Sequence, residues 1–260
     1  MSGRGSGSSR ALESEAMKHV VGFSGGVDSQ ACLSWVLERH PAEDVIALFA
    51  DTGNEHPLTL EHVAWVHENV HPVVRVSPEI QDMDGRAAER IAEMGLKADD
   101  PLDFELMAVI KAMFPMTKHR FCTEHLKLIP QVRWCRENLP ERGYSRYVGV
   151  RRDESASRAD VDECEWDDSF ACWLHRPLAA WSKQQVFEYL RDKGQRVNPL
   201  YEMGFERVGC APCINSRKED VRLWAARFPE MIDKIRAWEA RVGKPFFPPG
   251  RAFGKEAAFV

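Results

Sequence analysis

"HVVGFSGGVDSQACLSW", residues 19 to 35, is the stretch on which the fold turns. His19 to Phe23 reads as a short buried strand, and helix-forming residues at apolar spacing begin at Asp28. Ser24, Gly25 and Gly26 therefore form a strand-to-helix junction. The N–H groups of Gly25, Gly26 and Val27, with the hydroxyls of Ser24 and Ser29, make a cradle for phosphate at the positive end of a helix. A plain tight turn with Ser24 or Asp28 as cap is the alternative. Neither a Walker A loop nor a G-x-G-x-x-G run is present. Asp28 would repel a bare phosphate, and it fits if Mg²⁺ lies between them, which points to a magnesium-bound nucleotide.

Outward from this loop, "DVIALFAD" (44 to 51), Val73 to Ser77 and "SRYVGV" (145 to 150) read as further strands, with helices over 28 to 40 and 57 to 70. Alternating strands and helices predict an α/β fold, a parallel twisted sheet with helices on both faces, whose ligand sits at the carboxyl ends of the strands. Three polar segments follow strand ends: Ser24 to Ser29, Asp51 to Asn54, and Arg151 to Ser155. Asp51 and Thr52 are candidates to meet a ribose or adenine, and Arg151, Arg152 and Arg158 to clamp phosphates. After residue 180, Trp181, Phe187, Tyr189 and Leu190, then Leu223, Trp224, Phe228, Ile232, Ile235 and Trp238, mark amphipathic helices. The expected organisation is a Gly/Ser-rich tail (1–15), a nucleotide-binding α/β domain (16–178), a smaller helical region packed on it (179–244), and a second tail (245–260).

The net charge of −5 gives no global case for nucleic-acid binding. The charge is uneven, however: residues 111 to 158 hold eleven Lys/Arg against five Asp/Glu, a local +6 suited to a basic mouth for an anionic substrate. No apolar run reaches membrane-spanning length and the N-terminal stretch lacks the apolar core of a signal peptide, so a cytoplasmic protein without membrane contact is expected. Seven cysteines in such a chain favour metal or redox chemistry over a disulfide framework. Cys210 and Cys213 form "GCAPC", which by itself reads equally as a zinc half-site, a redox pair or two core thiols.

"SGGVDS" at Ser24 to Ser29 resembles the PP-loop of ATP pyrophosphatases. "FADTGNEHPLT", "GVRRDESASR", "RPLAAW" and "NPLYEMGFERVGCAPC" resemble successive blocks of the phosphoadenosine phosphosulfate (PAPS) reductase family, in family order over residues 19 to 240. The resemblance implies cleavage of ATP between its α and β phosphates, with the loop holding pyrophosphate, Asp28 placing Mg²⁺, and Ser24, Asp28, Arg151 and Arg152 in catalytic positions. Reductase members use a cysteine near the C-terminus, and no cysteine follows Cys213 here. Iron–sulfur members pair a Cys-Cys with a later Cys-x-x-Cys on a [4Fe–4S] cluster. In "RFCTEHLK" Cys122 is followed by Thr123, so Cys122, Cys210 and Cys213 would supply three ligands and leave one iron open. Cys135 is a candidate fourth ligand or a core residue, and Cys32 a core residue. The resemblance implies adenylation of an acceptor followed by iron–sulfur-dependent sulfur transfer to DNA or tRNA, with a cysteine desulfurase as sulfur donor. Sulfonucleotide reduction and a non-catalytic nucleotide-binding subunit are the alternatives.

Overall fold

The structure, a computed structural model, describes residues 16–247, and the tails expected at 1–15 and beyond 247 lie outside them. In chain order the elements are β1 (Lys18–Phe23), α1 (Val27–Leu37), β2 (Val45–Ala50), α2 (Pro57–Asn69), β3 (Val73–Val76), α3 (Ala88–Glu93) and α4 (Phe104–Lys111). A helix then runs from α5 (Phe121–Thr123) through a π-helical turn (Glu124–Leu128) into α6 (Ile129–Asn138). It is followed by β4 (Tyr144–Val148), β5 (Cys164–Asp167), β6 (Cys172–His175), α7 (Lys183–Asp192), α8 (Lys218–Arg227) and α9 (Glu230–Val242).

The strands form one sheet in the order β3-β2-β1-β4-β6-β5. All neighbours are parallel except β5, which runs antiparallel to β6 at the edge. The alternation along each strand sorts two apolar layers. Val21, Phe23, Ala47, Phe49 and Tyr147 face α1, α2 and α7, while Val20, Leu48, Ala50 and Tyr144 face α6. Because the chain steps from β3 back across β1 to β4, its direction of winding reverses between β1 and β4, the place where such sheets leave a crevice.

The four expected strands are present with ends shifted by one or two residues, and the β5–β6 hairpin is an addition to them. Residues 179–192 share the main core, since Leu178, Val186 and Leu190 pack in the layer that covers α1. A second cluster joins α4 and α9 through Phe104, Met107, Trp238 and Phe246. Phe246 and Phe247, at the start of the stretch expected as a tail, are buried in it.

Helix α1 is buried on nearly all sides, including its polar Gln30 and Ser34. The amide of Gln30 donates to Gln195 Oε1 (3.1 Å) and the Arg196 carbonyl (2.9 Å). Its Oε1 meets His62 Nε2 at 2.9 Å, so that nitrogen carries the proton and latches α2 to α1. Burial, with the Arg196 cation nearby, pushes the His62 pKa down from 6.5 to about 4. The native ring stays neutral where the unfolded one takes a proton. Stability is thus full above pH 6.5, falls between 6.5 and about 4, and levels off below. Denaturant titrations from pH 7 to 4 should show His62→Gln escaping about 3 kcal/mol of the loss seen in the parent chain.

Candidate functional site

The loop after β1 is built around backbone rather than side-chain bulk. Gly25 has φ +75°, and a Cβ there would lie 2.9 Å from Thr59 Cγ2 on α2. Asn198 Nδ2 donates to the Gly25 carbonyl and to Thr59 Oγ1, both at 3.2 Å. The Val27 N–H donates to the Tyr201 hydroxyl at 3.2 Å. Ser29 is an internal brace: its hydroxyl donates to the Gly26 carbonyl (2.9 Å) and accepts from the Ser24 N–H (3.1 Å). The Ser24 hydroxyl, 3.1 Å from that of Ser29, is exposed at the mouth. Among the described residues no protein acceptor pairs with the N–H of Gly25 or Gly26. Two free donors and a hydroxyl at the start of an eleven-residue helix suit an anion.

Across the crevice, the end of β4 approaches α1 so closely that a Cβ on Gly149 would lie 2.2 Å from the Asp28 carbonyl oxygen. Arg151, only 4 % exposed, donates from Nε to Asp28 Oδ1 at 2.6 Å and from a second nitrogen to Asp153. Asp28 Oδ2 keeps no donor among the described residues, so the carboxylate retains an oxygen for a divalent cation. Arg158 pairs with Glu154, which Arg207 also approaches at 3.4 Å. Burial lowers the Arg158 pKa, and the guanidiniums of Arg207, Arg120 and Arg151 lower it further. Arg151, Arg158 and Arg207 thus gather on the β4 side of the crevice, interleaved with Asp28, Asp153 and Glu154.

The other predicted residues turn to protein partners. Arg152 leaves the crevice, donating to the Val161 carbonyl (3.2 Å) and Glu163 (3.4 Å). Asp51 accepts from Arg75 Nε (2.8 Å) and the Gly53 N–H (3.1 Å). Thr52 is fully buried and gives both its N–H (2.9 Å) and hydroxyl (2.8 Å) to Glu55. This loop is stitched to the Cys-x-x-Cys loop. Glu55 bridges Cys210, the Ala211 N–H donates to the Asn54 carbonyl at 2.7 Å, and Asn54 Nδ2 donates to the Pro212 carbonyl at 3.2 Å.

The stitch brings Cys210 and Cys213 beside Cys122, with Lys127 among them. Burial pushes the Cys122 thiol up to about 11, helped by Cys210 and Cys213, and burial also raises Cys213. Lys127 is held above its ordinary range by Cys210 first, then by Glu55 and Cys213. It is the cation that would offset the charge of these sulfurs once their protons are displaced. Lys127, Glu55, Tyr201 and Asn198 were not singled out from sequence. The spacing of Lys127 on the same helical run as Cys122 was the available signal. Cys135 is elsewhere, fully buried beside Tyr144, Phe170 and Cys172. Cys32 lies in the main core and Cys164 is exposed on β5.

Three thiols gather at that place without a fourth cysteine. Among the described residues no three His, Cys, Asp or Glu side chains are disposed for a single metal ion.

Residues 18–216 match the phosphoadenosine phosphosulfate reductase domain. The chain is 32% identical over 263 residues to an uncharacterized 37.8 kDa protein of Escherichia phage 186, covering 88% of this chain and 76% of that one. It is 31% identical over 192 residues to an adenosine 5'-phosphosulfate reductase of Streptomyces coelicolor, covering 72% of this chain and 70% of that one. The crystal structure of a PAPS reductase from Candida auris superposes with a TM-score of 0.50 at 16% identity, over 75% of this chain and 82% of that one, a likeness of fold. Among the described residues no helix is long and apolar enough to cross a membrane. With most of its length matched and the loop after β1 at the point where the sheet reverses, the chain belongs to the PAPS reductase domain family of the PP-loop ATP pyrophosphatase superfamily.

Proposed function

We propose that this chain splits ATP into AMP and pyrophosphate to adenylate an acceptor, and that its thiol site serves sulfur transfer to nucleic acid, either a DNA backbone or a tRNA base. The observation that carries this reading is the meeting of Cys122, Cys210 and Cys213 with Lys127 next to the arginine-lined loop, while the other four cysteines lie elsewhere. Arg207, whose charge acts on both Arg158 and Cys213 and which approaches Glu154 at 3.4 Å, lies between the two halves.

An acceptor oxygen attacks the α-phosphorus, the bond to the α–β bridging oxygen breaks, and that oxygen leaves with pyrophosphate carrying the electron pair. The free N–H groups of Gly25 and Gly26 and the Ser24 hydroxyl hold the departing charge. Arg158 and Arg207 oppose it from the β4 side, and Arg151 holds Asp28 in position. Asp28 would hold Mg²⁺, which when bound offsets phosphate charge. Cys122, Cys210 and Cys213 would hold an iron–sulfur cluster, which when bound supplies an iron open to sulfide, the sulfide being released from a desulfurase persulfide by two electrons from a thiol reductant. Lys127 balances the charge of the thiolates. Sulfide then displaces AMP from the activated acceptor.

The name of the Streptomyces relative supports a second reading, reduction of a sulfonucleotide. Anaerobically purified protein separates the two. Pyrophosphate release with ATP supports the first, and sulfite release from adenosine 5'-phosphosulfate with an added thiol reductant and without ATP the second. Asp28→Ala and Ser24→Ala should each lower pyrophosphate release about 100-fold with an unchanged circular dichroism spectrum. Normal release by both would remove the loop from the mechanism. Cys122→Ser should lose iron and sulfide but keep nucleotide binding, whereas Cys135→Ser should keep the iron.

A further inference from the structure

The β5–β6 hairpin carries none of the residues of the crevice, yet it presents a surface that folding alone does not explain. Trp166 and Trp173 are directly opposed across the two strands, with ring centroids 5.8 Å apart at 86°. They are 43% and 52% exposed, while Cys172 and Leu174, which flank Trp173 on the same strand, are buried. Two indoles left half in water on a short hairpin forgo the burial that makes tryptophan stabilising.

Their surroundings are acidic. Residues 160 to 168 contain six carboxylates and no Lys or Arg. Three are neutralised within the fold: Glu163 by Arg152, Glu165 by Arg176, and Asp167 by Arg146. Asp160, Asp162 and Asp168 are exposed and have no ion-pair partner among the described residues. No cation among the described residues lies over either indole, although Arg39 sits 3.9 Å over Trp35 and Arg146 3.9 Å over Phe170. The faces of the indoles carry negative potential, and the free carboxylates add to it, so the surface selects cations, guanidinium best of all. β5 is also the last strand of the sheet, with an unpaired outer edge.

We propose that this hairpin is a docking site for an extended, arginine-bearing segment of a partner protein, whose backbone pairs with β5 and whose guanidiniums stack on Trp166 and Trp173 beside the free aspartates. Charge complementarity selects this occupant. The phosphates of a nucleic acid would meet the carboxylates, and a second copy of the chain would bring the same acidic edge against itself.

The test uses the whole chain, a synthetic nonapeptide of alternating arginine and serine, and a glutamate–serine control, with affinity read by calorimetry. The arginine peptide should bind and the glutamate peptide should not. Trp166→Ala and Trp173→Ala should each weaken binding about ten-fold while the protein stays folded, its melting temperature within a few degrees of the parent because about half of each ring is in water. Replacing Asp160, Asp162 and Asp168 together by Asn should weaken it further and flatten its dependence on salt. Equal affinity in the parent and both tryptophan variants would overturn the proposal. So would a tryptophan-dependent dimer in sedimentation, or a single-stranded oligonucleotide that binds the parent but not Trp173→Ala.

Discussion

Gly149→Ala is expected to leave little folded protein, although it adds one methyl group. That carbon would lie 2.2 Å from the Asp28 carbonyl oxygen, 2.4 Å from its carbonyl carbon and 2.7 Å from the Ser29 nitrogen. All three are backbone atoms in the first turn of α1, so no side chain can rotate away. Relief requires β4 and α1 to separate, and α1 is locked between the sheet and α7 by its buried side chains. The cost should exceed about 3 kcal/mol, at the upper end for overpacking. Gly85→Ala is the control, because a Cβ there meets nothing within 4 Å. Soluble yield and thermal melts should show the first variant depleted and the second near the parent. A melting temperature within a few degrees of the parent for Gly149→Ala would mean that the β4–α1 approach is softer than it stands.

Arg151→Met is expected to impair nucleotide binding more than any other single substitution of an arginine in this chain. The guanidinium is nearly inaccessible, so its primary role is to tie the β4 loop to Asp28 and Asp153. Without it, Asp28 beside the phosphate loop and Asp153 on the β4 loop both lose the cation that offsets them. Breaking a buried ion pair from one side costs about 3 to 5 kcal/mol, and the partial exposure of Asp28 and Asp153 places this case near the lower figure. Asp28 would then repel incoming phosphates, and ATP should bind about 100-fold more weakly. The double variant Arg151→Met, Asp28→Asn should recover most of the stability, because no orphaned charge remains at Asp28, but not pyrophosphate release. If the double variant is as unstable as the single one, Arg151 acts through packing rather than charge.

Much of the fold was legible because period and punctuation agreed. β1 to β4 are short apolar runs ended by polar loops, and Gly25 and Gly26 mark a turn at which strand gives way to helix. The hairpin of β5 and β6 was hidden. β5 alternates Cys, Glu, Trp and Asp, and its carboxylates are balanced by Arg176 and Arg146, each at least eleven positions away. A segment so acidic reads as a loop until those partners are known. The crevice was partly legible for the same reason. Ser24 and Asp28 stand where the turn puts them, but Thr52 turns its hydroxyl to Glu55, three residues on, and Arg152 reaches the Val161 carbonyl. Such local pairings leave no periodic trace. The convergence of Cys122 with Cys210 and Cys213 needed the family resemblance to be expected at all, since their spacing alone fits three different chemistries.

The stitch between Asn54 and the Cys-x-x-Cys loop joins positions 158 residues apart. Closing so long a loop carries an entropic cost that only an already ordered surface can offset, so the seam can form only once the end of β2 is in place. β1, α1, β2, α2 and β3 are neighbours in both sequence and space and can assemble from local contacts. In a chain emerging from the ribosome, β1 to β3 can pair before Cys210 and Cys213 are made, whereas the phosphate loop takes its final form only when Asn198 and Tyr201 reach Gly25 and Val27, so loop and thiol seam are completed by the same late stretch of chain.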